Sequence, residues 1–123
     1  VAQQFVSYSK AKTVQPANTI RLIEGTHQST KLHLSDSESV AFLSDNQAHR
    51  IEIKRTVDRY LINVERSANT DDEDLNQNFS HHYSRELKAN GPLNVEWIFS
   101  EAGLEMLLAD GVMSITQRSL ERP

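Results

Sequence analysis

Apolar and polar residues alternate along most of the segment 19–66. Five stretches carry this pattern, with turn-forming residues between them: TIRLIEG, STKLHLSD, SVAFLSD, HRIEIKRTV and RYLINVER. A period of two places successive side chains on opposite faces of a strand, and short connections favour pairing between consecutive strands. The pattern therefore predicts an antiparallel meander, in which residues 57–59 form a tight joint between two directly paired strands.

Two further segments follow the meander. Residues 67–78, SANTDDEDLNQN, contain four consecutive acidic residues and predict an exposed loop. Residues 79–90, FSHHYSRELKAN, resume the alternation and predict the last of about six strands. Residues 1–18 fit either an N-terminal arm or a first strand.

The C-terminal region 92–123 is predicted to be helical. Its apolar residues recur near helical spacing, and Asp110 and Gly111 form a plausible helix end. A hairpin is the alternative, because Val95, Trp97 and Phe99 also alternate. The apolar residues of the predicted helical stripe are Trp97, Ile98, Leu104, Leu107 and Leu108.

The fold class predicted from these elements is α+β, in one domain spanning residues 1–123. A meander of about six strands precedes the C-terminal helix. One helix cannot cover so wide a sheet, so we expect a homodimer in which the helix of each chain packs on the partner's sheet. The dimer would thus be interlocked around a shared sheet.

Composition and motifs argue against an enzyme. The chain has 123 residues, a net charge of −4 and no cysteine, which excludes disulfides and thiolate chemistry. His81 and His82 are adjacent and would point to opposite faces of a strand, and the acidic run 71–74 lacks the spacing of a calcium-binding loop. We therefore predict no catalytic residue, no metal and no cofactor. No apolar run is long enough for a membrane span, so no membrane partner is expected.

The polar face of the strands at 49–66 suggests a nucleic-acid partner. Arginine and lysine neutralise phosphates, threonine and asparagine bond to base edges, and an aromatic ring can stack on a base. Glu52 and Glu65 share this face and oppose that interpretation. The next strand adds an aromatic ring, Tyr83, and a further cation, Arg85. The predicted RNA-binding residues are Arg50, Lys54, Thr56, Arg59, Asn63, Tyr83 and Arg85.

The order of these segments resembles the coat proteins of single-stranded RNA bacteriophages. RYLINVER at 59–66 is similar to a basic-Tyr-x-Ile-x-Val-Glu strand of that family, and the loop 67–78 falls where the family has its loop before the final strand. Tyr83 matches a tyrosine on that strand. EMLLADG at 105–111 is similar to a helix end, and residues 19–36 resemble a first hairpin.

The resemblance implies a capsid protein whose dimers assemble into an icosahedral shell. Such a protein would be assembled in the cytoplasm of a bacterial host and found in the virion, with its inner sheet face on genomic RNA or on a hairpin that represses replicase translation. By position, Tyr83 would stack on a base, Arg85 would contact the hairpin, and Asn63 occupies a slot that is often lysine. The alternative prediction is an exported bacterial β-barrel domain that binds a ligand or a protein.

Overall fold

The computed structural model describes residues 7–10, 19–68 and 70–120, with side chains described from residue 19 onward. Alternation of apolar and polar residues gives strands throughout, and the described elements include one helix, α1 at Glu73–Phe79. The strands are β1 Ser7–Lys10, β2 Thr19–Leu22, β3 Thr26–Leu32, β4 Ser39–Ser44, β5 His49–Arg55, β6 Arg59–Arg66, β7 His81–Lys88, β8 Leu93–Ser100, β9 Gly103–Leu108 and β10 Met113–Arg118.

These strands form two five-stranded sheets. The first sheet has the order β1-β3-β8-β9-β10, and the second has the order β2-β4-β5-β6-β7. Two pairings, β1 with β3 and β2 with β4, are parallel, and the others are antiparallel. Of the antiparallel meander predicted over residues 19–66, only the part β4–β6 is found, and β7 continues it. β2 pairs with β4 in parallel, and β3 belongs to the other sheet.

The two sheets pack their apolar faces against each other in one core. Phe42 on β4 meets Trp97 on β8 edge to face, with ring centroids 5.2 Å apart, and both side chains are fully buried. Tyr60 on β6 is equally buried. Burying each of these side chains contributes about 1.5–3 kcal/mol. This contact between the sheets stabilises the fold and holds the connections at both ends of the sandwich in place.

The prediction of a C-terminal helix is wrong, and with it the α+β fold class. Residues 93–118 form β8, β9 and β10, and the seven-residue helix α1 lies in the middle of the chain. The helical pattern arose because Ile98 and Leu107 are half-buried on the outer face, opposite the buried positions Trp97 and Leu108. A hairpin with apolar residues on both faces therefore shows the same spacing of apolar residues as the buried face of a helix. The alternative hairpin is the correct interpretation.

The argument for an interlocked dimer fails for the same reason. It assumed a wide sheet with one face left bare by a single helix. In the structure the first sheet of the same chain covers the apolar face of the second sheet, including Ile51, Ile53 and Ile62, which are fully buried. Burial therefore no longer requires a partner's helix, and dimerisation stays a prediction.

The turn between β8 and β9 requires glycine at its end. Gly103 has a φ of 151°, and a Cβ atom there would lie 2.1 Å from the carbonyl oxygen of Gln117 on β10. Real contacts of a Cβ atom do not approach below 3.0 Å. Gly103 thus lets β10 lie close against the turn and carry its last residues over one end of the sandwich.

Three other predicted segments have mixed outcomes. Of residues 1–18, positions 7–10 form β1, and the remainder lies outside the described residues. The predicted loop 67–78 holds most of α1, whose N-cap Asp72 accepts a hydrogen bond from the Leu75 amide at 3.2 Å. Its acidic residues are exposed, as predicted. The strand predicted at 79–90 is β7, which three further strands follow.

Candidate ligand-binding pocket

Most of the predicted RNA-binding residues lie on the outer face of the second sheet. Arg50 pairs with Glu65, Asn63 with Glu52, and Lys54 with Leu61, so all of them face away from the core. Arg59 begins β6 on the same face. Thr56 lies in the β5–β6 turn, where its hydroxyl donates to the Arg59 carbonyl at 3.2 Å.

The cations of this outer face are largely paired with carboxylates. Arg59 donates to Asp58 at 3.0 Å and to Glu86 at 2.8 Å. Arg50 lies 3.3 Å from Glu52 and 3.7 Å from Glu65. The hydrogen bond from Arg59 holds the pKa of Asp58 below its usual range. Because these carboxylates neutralise the arginines, the outer face has little net positive charge with which to bind phosphates.

Tyr83 and Arg85 lie on the opposite face from the other predicted residues. They pair with the buried residues Val64 and Ile62, so they point toward the first sheet. Arg85 stacks over Tyr83, 5.3 Å from the ring centroid, and its Nη1 atom donates to the Ser114 carbonyl at 3.4 Å. The structure therefore divides the predicted RNA-binding group between two surfaces of the molecule.

A pocket of about 300 Å³ opens at one end of the sandwich. Five segments converge there: the β2–β3, β4–β5 and β8–β9 connections, the stretch after β6, and the stretch after β10. Polar groups make up much of its wall, and apolar side chains complete it. The lining residues are Glu24, Asn46, Ala48, His49, Ser67, Ala68, Thr70, Phe99, Glu101, Ser119 and Leu120.

His49 lies beneath the pocket in a hydrogen-bonded chain that joins the two sheets. It is the first residue of β5 and is 1% exposed. Its Nδ1 atom lies 2.8 Å from Oε1 of the buried Gln117, and its Nε2 atom lies 3.0 Å from the Ser119 hydroxyl. The ring of Phe99 packs against it edge to face, with centroids 5.5 Å apart.

Burial fixes the protonation state of this histidine. Desolvation lowers the pKa of His49, and the hydrogen bond to Gln117 offsets part of that effect. The imidazole is therefore neutral at neutral pH. With Gln117 Oε1 facing the ring, Nδ1 is the donor and Nε2 accepts the hydroxyl proton of Ser119, while the buried Nε2 of Gln117 has no hydrogen-bond partner among the described residues. The result is a directed chain of hydrogen bonds from Ser119 through His49 to Gln117.

The β4–β5 turn holds His49 in place. Asn46 Oδ1 accepts from the Ser44 hydroxyl at 2.8 Å and from the Ala48 amide at 3.1 Å, and Gln47 has a φ of 59°. The amide of His49 donates to the Ser44 hydroxyl oxygen at 3.1 Å. This Asn-centred turn is the kind that short polar residues favour between paired strands.

The sequence prediction missed this pocket. The sequence prediction gives His49 no role, and Gln117 and Ser119 lie in the region 92–123 that it predicts to be helical. One signal was present: His49 and Gln117 are polar residues at inward positions of otherwise apolar alternations, HRIEI and MSITQ. A buried polar position in such a pattern needs a partner, and here the two are each other's partner.

No family model, curated protein or solved structure matches this chain. Among the described residues, no helix has the length and apolar character needed to cross a membrane. The same part of the chain holds no cluster of three or more histidine, aspartate or glutamate side chains arranged for a metal ion. The site therefore has to be interpreted from its own geometry.

Proposed function

We propose that this chain is a binding domain that takes a small polar ligand in the end pocket. The observation that carries the proposal is the buried chain Ser119–His49–Gln117 directly beneath a pocket that five segments enclose. A pocket of about 300 Å³ lies at the lower end of the range for ligand sites. A rigid frame that presents polar groups from converging loops is a common arrangement in binding proteins.

Binding fits the pocket better than catalysis. Ser119 and His49 have the spacing of a nucleophile and its base, but the group on Nδ1 is the neutral amide of Gln117. The neutral amide stabilises the imidazolium that a serine nucleophile needs to form less than a buried carboxylate would. The Ser119 amide also donates to the Ala102 carbonyl at 3.0 Å and does not point to where an oxyanion would develop.

The coat-protein hypothesis stays a prediction, and two features of the structure reduce the support for it. The segment EMLLADG, which resembled a helix end, lies at the end of β9 and in the turn that follows it. The residues expected on RNA occupy two opposite faces. Size-exclusion chromatography and electron microscopy of the expressed protein test this hypothesis directly. Icosahedral particles containing RNA would support it, and elution as a species of 14.0 kDa would favour the binding domain.

A fragment screen by NMR tests the binding proposal. With the ¹⁵N-labelled chain, we expect small polar fragments to shift the amide resonances of the five pocket segments. Ala68→Phe places a ring in the pocket and should weaken binding by about tenfold or more, equivalent to about 1.4 kcal/mol. Ala41→Phe, on the outer face of β4, is the matched control and should leave the affinity unchanged.

The result that would contradict the proposal is equally defined. If fragments shift amides mainly on the outer face of the second sheet, or if Ala41→Phe and Ala68→Phe weaken binding equally, the pocket is not the binding site.

A further inference from the structure

We propose that the connection between β7 and β8 contains a self-modifying site, Asn90–Gly91, at which the side-chain amide of Asn90 becomes a carboxylate. The sequence contains one Asn–Gly pair, and it lies within residues 89–92, which join the second sheet to the first. The co-reactant is water and the leaving group is ammonia. The inference is independent of the end pocket and of the ligand that the pocket takes.

The chemistry begins with an attack by a backbone nitrogen on the side chain that precedes it. The Gly91 nitrogen bonds to Cγ of Asn90, the Cγ–Nδ2 bond breaks, and ammonia leaves with the former amide proton of Gly91. The product is a five-membered cyclic imide. Water then opens the imide at Cγ, which gives aspartate, or at the backbone carbonyl carbon, which gives isoaspartate. Because both reacting groups lie in neighbouring residues, the attack is intramolecular and needs no enzyme.

The peptide unit between Asn90 and Gly91 is free to rotate into the geometry of this attack. Within the described residues, neither the Asn90 carbonyl nor the Gly91 amide makes a hydrogen bond. Both residues are exposed, so water reaches them. A backbone amide held in a hydrogen bond must break that bond before its nitrogen can turn toward a side chain. No such cost opposes the reaction here.

The peptide units on either side of this free unit are anchored to the second sheet. Arg55 Nη1 donates to the Ala89 carbonyl at 2.8 Å, and the Tyr60 hydroxyl donates to the Gly91 carbonyl at 2.5 Å. The Arg55 guanidinium also lies over the Tyr60 ring, 4.7 Å from its centroid. The anchors therefore hold the connection in place and leave its middle peptide unit mobile. The positive charge of Arg55 also favours loss of the Gly91 amide proton.

Glycine at position 91 removes the steric obstacle to the attack. Its φ is 82°, and nothing lies within 4 Å of the position where a Cβ atom would be. With no side chain, this residue passes between backbone conformations that other residues rarely adopt. The Gly91 nitrogen can therefore approach Cγ of Asn90 without a clash on its own side.

Other asparagines of the chain lack this combination. Asn46 is also exposed and lies in a turn, but the amide of the following residue, Gln47, donates to the Ser44 carbonyl at 2.9 Å. Asn94 lies within β8, whose backbone is paired with strands on both sides. In both cases the nucleophilic nitrogen belongs to a residue with a side chain. We therefore expect Asn90 to react well before either of them.

The isoaspartate product disturbs the anchors, whereas the aspartate product does not. In isoaspartate the main chain runs through Cβ and Cγ, so it gains one carbon atom between the Ala89 and Gly91 carbonyls. Arg55 and Tyr60 hold those two carbonyls at a fixed spacing, and the longer chain cannot keep both hydrogen bonds. Loss of one net hydrogen bond should raise the equilibrium constant for unfolding by about 2–10-fold.

Incubation of the folded chain in ¹⁸O-labelled water at mildly alkaline pH tests the inference. High-resolution mass spectrometry of proteolytic peptides should find ¹⁸O at residue 90, in a mixture of aspartate and isoaspartate that fragmentation distinguishes. Asn90 should react about tenfold faster or more than Asn46, equivalent to a barrier lower by about 1.4 kcal/mol. Asn90→Gln is the matched control and should stay unmodified, because its attack would close a larger ring. An equal rate at Asn46, or aspartate without isoaspartate at residue 90, would overturn the inference.

A second measurement separates the added charge from the lengthened main chain. Ion exchange isolates the isoaspartate form, and Asn90→Asp carries the same charge on an ordinary backbone. In urea denaturation we expect the isoaspartate form to show the 2–10-fold rise in the unfolding constant. Asn90→Asp should change that constant by less than about twofold, since exposed charges contribute little to stability. Equal stability of the isoaspartate form and the unmodified chain would refute the role of the two anchors.

Discussion

Replacing Gly103 by alanine should destabilise the protein far more than the same change at Gly91. Both residues have positive φ, 151° and 82°, so both alanine variants carry backbone strain. At Gly91 nothing lies within 4 Å of the added Cβ atom. At Gly103 the Cβ atom would lie 2.1 Å from the Gln117 carbonyl oxygen and 2.9 Å from Arg118 Cα, which are backbone atoms of β10.

The expected magnitude follows from those contacts. Strain at an unfavourable φ costs about 1–3 kcal/mol, and overpacking costs about another 1–3 kcal/mol. Relief of the clash requires β10 to withdraw by about 1 Å, which also lengthens the contact between Gln117 and His49. We therefore expect a loss of about 4 kcal/mol for Gly103→Ala and about 1–2 kcal/mol for Gly91→Ala. Typical domains have only 5–15 kcal/mol in total.

Urea denaturation followed by tryptophan fluorescence measures this difference. The chain has a single tryptophan, Trp97, which is fully buried between the sheets and reports their separation. Equal free energies of unfolding for Gly103→Ala and Gly91→Ala would refute the close approach of β10 to the β8–β9 turn. A selective loss at Gly103 together with shifted pocket amides would support it.

Three further predictions concern other parts of the molecule. Burial lowers the pKa of His49 from 6.5, so the free energy of unfolding should be at its full value above pH 6.5 and fall as the pH decreases toward the folded-state pKa. Urea midpoints measured across this pH range should show the fall, and His49→Gln should flatten their pH dependence. Tyr60→Phe should cost about 1 kcal/mol in the same assay, because the tyrosine hydroxyl donates to the Gly91 carbonyl at 2.5 Å; no change would mean that water replaces it. Lys54→Ala with Arg59→Ala should change affinity for single-stranded RNA by less than about threefold in filter binding, and a larger, salt-dependent loss would assign RNA contacts to that face.

The strands were predictable where one face is buried and the other is wet. In β5 and β6 the buried residues Ile51, Ile53, Ile62 and Val64 alternate with polar ones, and the short joint between the strands allows little besides direct pairing. The sheet that a given strand joins was not predictable from this alternation. β3 overlaps one of the alternating stretches, as β4 does, yet it pairs with β8, more than sixty residues away along the chain. Local periodicity carries no information on that choice.

The pocket was less accessible to sequence reasoning than the strands. Its groups come from five separate connections, and their meeting depends on how the two sheets pack. The sequence already places Glu52 and Glu65 on the same face as the predicted cations, but the pairing of Arg59 with Glu86 depends on the register of β6 and β7. Tyr83 and Arg85 are an example. The sequence predicts that they share one face of their strand, but only their pairing with Val64 and Ile62 shows that this face points toward the first sheet.

The N-terminal part of the chain contributes one strand to each sheet. β1 flanks β3 and β2 flanks β4, so both sheets end on this segment, and both junctions run parallel. This segment thus forms one edge of each sheet. Proteolytic removal of the chain ahead of β3 would expose the unpaired edges of both β3 and β4, and exposed strand edges promote aggregation with other chains. We therefore expect the solubility of the folded domain to depend on β1 and β2.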